Sequence, residues 1–166
     1  MKNNIIIFGN SLFISTKCED SNFYVVPNKI TSRLNDKFMV DNFSNMNLCV
    51  EETINYINEF ARIKKYYYCV LNLGEADYNK TDLTEFKNGL LKIIKLLKSY
   101  DVLPVMVSLP NKFLKKDGAM NYQEAIDEIA INEKLLYVYS GDLDIDNTIK
   151  VKNASQIKRA LTDLCI

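Results

Sequence analysis

The chain has 166 residues, 48% of them apolar and 25% charged, and its 21 basic side chains balance 21 acidic ones. That length buries a proper core without staples, and that composition excludes a disordered chain. With no basic tail or face-length charge run, nucleic acid and anionic membrane are not expected as main partners, and histidine is absent altogether.

Asn4–Phe8 reads as a buried strand that stops at Gly9, Asn10 and Ser11. Pro27 suits the first turn of a helix reaching about Leu34, and Lys37–Asp41 reads as the second strand. Val50, Ile54, Ile57 and Ala61 then fall at the i, i+4, i+7 spacing of one buried helical face. The third strand, Tyr66–Leu73, runs into Gly74, Glu75, Ala76 and Asp77. Thr81 and Asp82, with Glu85 three residues after Asp82, predict the capped start of a helix to Ser99. That helix buries Leu83, Phe86, Leu90, Ile93, Ile94 and Leu97. Leu103–Leu109 is the fourth strand, Asn121 with Glu124 opens a helix through Ile131, and Leu135–Tyr139 is the fifth strand. Asn153 or Ser155 opens a last helix that buries Ile157, Leu161 and Leu164.

Strands that alternate with helices of this length predict βαβ units, and their continuous apolar runs predict burial on both faces. The expected architecture is α/β, one three-layer sandwich over residues 1–166. Its five-stranded parallel sheet has the flavodoxin-like order 2-1-3-4-5. Cys18, Cys49, Cys69 and Cys165 form no CxxC pair or zinc spacing, so free thiols in a reducing compartment, the cytoplasm, are expected. The first apolar run is too short for a signal-peptide core, and no stretch approaches membrane-spanning length.

Ligands of open α/β sheets bind past the carboxyl ends of the strands, where strand order reverses. Here that point lies between the first and third strands. Gly9-Asn10-Ser11 and Gly74-Glu75-Ala76-Asp77 are therefore the privileged loops. Each residue type also has a plain role, since glycine permits tight turns, and Asn, Ser and Asp cap helices or bond their own backbone.

In order and spacing, these loops resemble the SGNH, or GDSL, hydrolases. IIIFGNSL resembles the family's first block, in which the nucleophilic serine follows Gly-Asp. VLNLGEADYN resembles the Gly-x-Asn-Asp block, and DLDIDNTIKVKNASQIKRAL has the layout of the Asp-x-x-His segment and final helix. The resemblance implies an esterase fold with Ser11 at the nucleophile position and Asp146 at that of the acid partner. It implies that the second-block glycine, an oxyanion donor through its backbone N–H, is here Asn47. The third-block asparagine, a side-chain donor, is here Ala76. The histidine falls near Ile149 or Lys150, and the first-block aspartate is Asn10.

A serine needs an adjacent base to attack at neutral pH, and losing one oxyanion donor costs roughly 2.7–4 kcal/mol of transition-state stabilisation. Lys150 would need burial to serve as that base, and an ordinary carboxylate, Glu75 or Asp77, is a weak proton acceptor. The expected function is thus a degenerate hydrolase that keeps a pocket for a small polar or acyl-bearing ligand, lined by Asn10, Asn47 and Gly74–Asp77. The alternative is an unorthodox serine esterase or acyltransferase acting through Ser11 on a small acyl ester, such as that of a glycan. A flavodoxin-like signalling domain ranks last, because no phosphoacceptor acid pair ends the first strand. Asp142, Asp144 and Asp146 have EF-hand spacing, but Asn147 and Asn153 replace the glycine and bidentate glutamate such a loop needs. No GxGxxG or P-loop is present, so neither metal nor cofactor is expected.

Overall fold

The computed structural model describes residues 2–19, 22–27, 31 and 34–140. Its elements run β1 (Asn4–Gly9), β2 (Ile14–Glu19), β3 (Asn22–Pro27), β4 (Met39–Asn42), α1 (Val50–Ile63), β5 (Tyr68–Asn72), α2 (Leu83–Ser99), β6 (Leu103–Val107), α3 (Asn111–Leu114), α4 (Ala119–Asn132) and β7 (Leu136–Val138). Short 3₁₀ turns occupy Ser11–Phe13 and Asp77–Asn79. The main sheet has the order β4-β1-β5-β6-β7, with every neighbouring pair parallel. Counting its own strands alone, that is the expected 2-1-3-4-5.

β1 lies between β4 and β5, with Gly9 opposite Asn72 at its exit. Its side chains alternate between two cores, as the period of a strand requires. Ile6 and Phe8 face α1, α2 and α4, together with Cys69, Leu71 and Met106. Ile5 and Ile7 join Val70, Val105, Val107, Phe13, Leu34 and Phe38 on the other face. Complete burial of each such side chain contributes about 1.5–3 kcal/mol, so the centre of the sheet is also its most heavily stabilised part.

The helices follow their apolar stripes. In α2, Phe86, Leu90, Ile93, Ile94 and Leu97 are buried, and Asp82 caps the helix by accepting from the Glu85 amide at 2.9 Å. Gly89 lets α1 and α2 approach closely, since a Cβ there would stand 2.6 Å from Val50 Cγ2. α4 begins at Ala119 rather than Asn121, because Ala119 and Tyr122 are themselves in the core and extend the buried face backwards.

One segment departs from expectation. Pro27 is the last residue of β3, not the first turn of a helix. Residues 14–19 and 22–27 pair as a separate antiparallel ribbon, with Glu19 opposite Asn22. The β-branched and aromatic residues of Phe23–Val26 favour this extended state, and a proline is tolerated at a strand end. The described residues of the expected helix beyond it, Thr31 and Leu34, are helical and buried. Among the described residues, no helix is long and apolar enough to cross a membrane. The expected final helix, Asp142–Asp146, Ile149 and Lys150 lie outside the described residues.

Candidate functional site

Three loops meet at the carboxyl end of β1. The Asn10 amide N–H donates to Asn72 O at 3.1 Å and the Asn45 N–H to Gly9 O at 2.9 Å. The fully buried Asn10 side chain donates through Nδ2 to Asn45 O at 2.8 Å and Leu48 O at 3.0 Å. Asn10 thereby clamps the loop after β4 to the loop after β1. Asn72 ties the end of β5 to β6 in the same way, donating to Ser108 O at 2.9 Å and Val107 O at 3.3 Å.

Ser11 begins the 3₁₀ turn just past this clamp. Its hydroxyl donates to the Glu75 carboxylate, shared between Oε1 at 2.7 Å and Oε2 at 2.9 Å. Its backbone N–H donates to the same Oε1 at 3.2 Å. Gly74 makes this reach possible. Its φ of +129° lies where a side chain is strained, and a Cβ there would also press on Leu109 Cδ2 at 3.2 Å. The backbone therefore bends at Gly74, immediately before Glu75.

A serine's own amide is one of the two oxyanion donors in the best-understood serine hydrolases. In this chain that donor is already bonded to an anion. Asn47, the second donor position implied by the resemblance, is exposed and spends its N–H on Asn45 Oδ1 at 2.9 Å. Its carbonyl accepts from Lys80 Nζ at 3.2 Å. Ala76, at the third position, is buried and has no polar side chain. Asp146, at the acid position, is not among the described residues.

Asp77 faces a different partner. Its Oδ1 accepts from the Val50 N–H at 3.1 Å, at the start of α1, and from Thr81 Oγ1 at 3.3 Å. Burial pushes its carboxyl above the ordinary carboxylate range, although the Val50 and Thr81 hydrogen bonds partly oppose the shift. Burial, then the Asp77 charge, likewise raises the Cys49 thiol, so this cysteine is poorly suited to act as a thiolate. Asn10 Oδ1, Asn72 Oδ1, Ser44 Oγ and Asp77 Oδ2 are buried without a hydrogen-bond partner among the described residues. Three of these four are acceptors, and the Ser44 hydroxyl alone among them can also donate, where an oxyanion site needs surplus donors.

Beside the Asn47 loop lies a cleft of about 380 Å³, lined by Phe43, Ser44, Asn45, Asn47, Tyr56 and Phe60 among others. Phe43 and Phe60 stack at 4.2 Å between ring centroids, and the half-exposed Tyr56 continues this aromatic shelf. No group of three or more His, Cys, Asp or Glu able to hold a metal ion stands together among the described residues.

Sequence reasoning named Ser11 and Glu75 but not their contact, and it missed Asn45 and Asn72. The Asn45-Met46-Asn47 spacing carried one usable signal, since an Asn side chain commonly bonds the backbone two residues on.

No protein-family model matches the sequence, and no curated protein matches it closely enough to count as a relative. Solved structures do match. TesA has a TM-score of 0.71 at 13% identity, over 98% of this chain and 99% of that one. A GDSL-like lipase from Bacteroides thetaiotaomicron has a TM-score of 0.67 at 11% identity, over 98% and 89%. The psychrotrophic esterase EstA from Pseudoalteromonas sp., in a structure inhibited by monoethylphosphonate, has a TM-score of 0.65 at 11% identity, over 97% and 96%. At such identities the likeness carries the fold.

Proposed function

We propose that this chain, which has the SGNH-hydrolase fold, uses that fold to bind a small polar ligand rather than to hydrolyse esters. The observation that carries the reading is the Glu75 carboxylate, which holds both the hydroxyl and the amide N–H of Ser11. An ester carbonyl polarised at Ser11 would have to displace an anion from the donor that should receive its developing charge. The Asn47 N–H is spent on Asn45, the Ala76 side chain cannot donate, and the sequence has no imidazole. With base and oxyanion donors both lost, little catalysis over water remains to be gained.

The ligand this reading favours is rich in hydroxyls, as a glycan is. The aromatic shelf of Phe43, Tyr56 and Phe60 suits the C–H face of a sugar ring, and the amides of Asn45 and Asn47 suit its hydroxyls. A cleft that sets aromatic side chains beside a few polar groups is a common form of small-molecule site, and Ser44 and Glu52 add to the polar lining here. The free, buried thiols of Cys49 and Cys69 support a reducing compartment, the cytoplasm. No cofactor, nucleic acid or membrane enters this reading.

The same contact favours one other reading, in which Glu75 accepts the Ser11 proton directly and the protein is a slow serine esterase or acyltransferase. A fluorophosphonate probe and short-chain acyl esters, offered to the parent, Ser11→Ala and Glu75→Gln, separate the two. The binding reading expects no labelling and no turnover above buffer in any of them. Labelling or turnover that disappears in both variants would overturn it in favour of the esterase.

A further inference from the structure

A second pocket lies far along the sheet, at its outer edge. A groove of about 700 Å³ runs between α4 and β7, walled by Leu114, Met120, Ile131, Leu135 and Tyr139. Its walls leave much apolar surface open: Ile131 is 75% exposed, Tyr139 56% and Met120 48%. A concentration of such residues on one face marks an interaction site.

The groove also contains a built polar group. Gln123, buried on α4, accepts from the Leu109 N–H through Oε1 at 2.7 Å and donates through Nε2 to Asp127 Oδ1 at 2.7 Å. The same Nε2 donates to the Tyr137 hydroxyl at 2.9 Å, and that hydroxyl donates to Asp127 Oδ1 at 2.6 Å. All three side chains line the groove. Asp127 is half-buried, and both of its hydrogen bonds fall on Oδ1. Its Oδ2 has no partner and the carboxylate has no ion pair among the described residues. The other charged lining residue, Lys134, is exposed at the rim. A carboxylate fixed in an apolar wall with one oxygen free is complementary to a cation, and a half-buried pair is screened far less than an exposed one.

We propose that this groove binds a small amphipathic cation, an ammonium or amidinium head on an apolar body, with the head donating to Asp127 Oδ2. Gln123 and Tyr137 hold the carboxylate in place, so its orientation is set before the ligand arrives. The site is independent of Ser11 and of the reading given to it.

Calorimetric titration of the full chain with decylammonium, decanoate and decanol, each below its micellar concentration, tests the proposal. Decylammonium should bind one to one and at least ~10-fold more tightly than decanoate, the margin expected for a hydrogen bond to a charged group. Asp127→Asn should abolish that margin, and Ile131→Arg, a surface change, should weaken decylammonium by placing a cation in the wall. Glu75→Gln should leave the binding unchanged. No binding, equal binding of all three probes, or binding unaltered by both groove variants would overturn the assignment. So would loss of binding in Glu75→Gln, or a dimer in sedimentation that decylammonium does not dissociate, which would assign the face to a second copy.

Discussion

The loops around Ser11 and the groove along α4 are both polar clusters set in apolar walls, and they differ in what their hydrogen bonds leave free. Around Ser11 the donors are consumed internally: the Ser11 amide by Glu75, the Asn47 amide by Asn45, and the Asn10 side-chain amide by two carbonyls. In the groove, two donors converge on one carboxylate oxygen and the other oxygen stays open. A site is defined by its unspent valences as much as by its residue types. By that measure the hydroxyl and amide of Ser11 are spent on Glu75, while Asp127 keeps one carboxylate oxygen open.

Substitutions can break this contrast. The largest effect is expected from Asn10→Ala, which orphans two carbonyls at the junction of two loops. Unfolding should cost about 2–3 kcal/mol less than for the parent, with a thermal midpoint lower by roughly 4–12 °C. Denaturant and thermal melts read this directly, and a loss no greater than that of Asp127→Asn would erase the contrast. Glu75→Gln should cost about 1–2 kcal/mol, because it removes a charge-assisted but part-exposed partner of Ser11. A gain in stability would mean that Glu75 is strained rather than settled in its place.

The smallest effect concerns pH. The raised Asp77 carboxyl favours the folded state while it is protonated. That contribution is complete below the unfolded value near 3.9 and is lost as pH rises through the higher folded value. Asp77→Asn stays neutral, so its stability relative to the parent should improve as pH rises from 4 to 7. Paired melts across that window settle the point; a parent that gains on the variant as pH rises would show that the ionised carboxylate is the favoured form at the start of α1.

Much of the fold was legible because its signals are local and repeated. IIIF, YCVLN and LPVMV could bury both faces only as central strands, and the helical stripes of α1 and α2 supplied the layers. The ribbon of Ile14–Pro27 was less legible, since Pro27 fits both a helix start and a strand end and only pairing with Ile14 decides between them. At the site, the identities of Ser11, Glu75 and Asp77 could be read, while their bonding could not. Which way Glu75 points follows from the φ of Gly74, and that the Asn47 amide is spent follows from the position of Asn45 Oδ1. Neither is a property of composition or periodicity. The groove was invisible for a related reason: Gln123 and Asp127 share a helix face, but Tyr137 joins them only through the tertiary placement of β7.

The central position of β1 has a consequence for synthesis. Its partners in the sheet, Met39–Asn42 and Tyr68–Asn72, both follow it in the chain, the second ending 63 residues after Gly9 (72 − 9). At the usual pace of translation the ribosome needs roughly 3–13 s to supply that second partner. Until Met39–Asn42 is made, 33 residues after Gly9 (42 − 9), Ile5, Ile6, Ile7 and Phe8 have no partner strand. Their second flank stays open for the rest of that interval. A segment that later becomes fully buried is thus, in the nascent chain, an apolar stretch exposed until both of its flanking strands have been made.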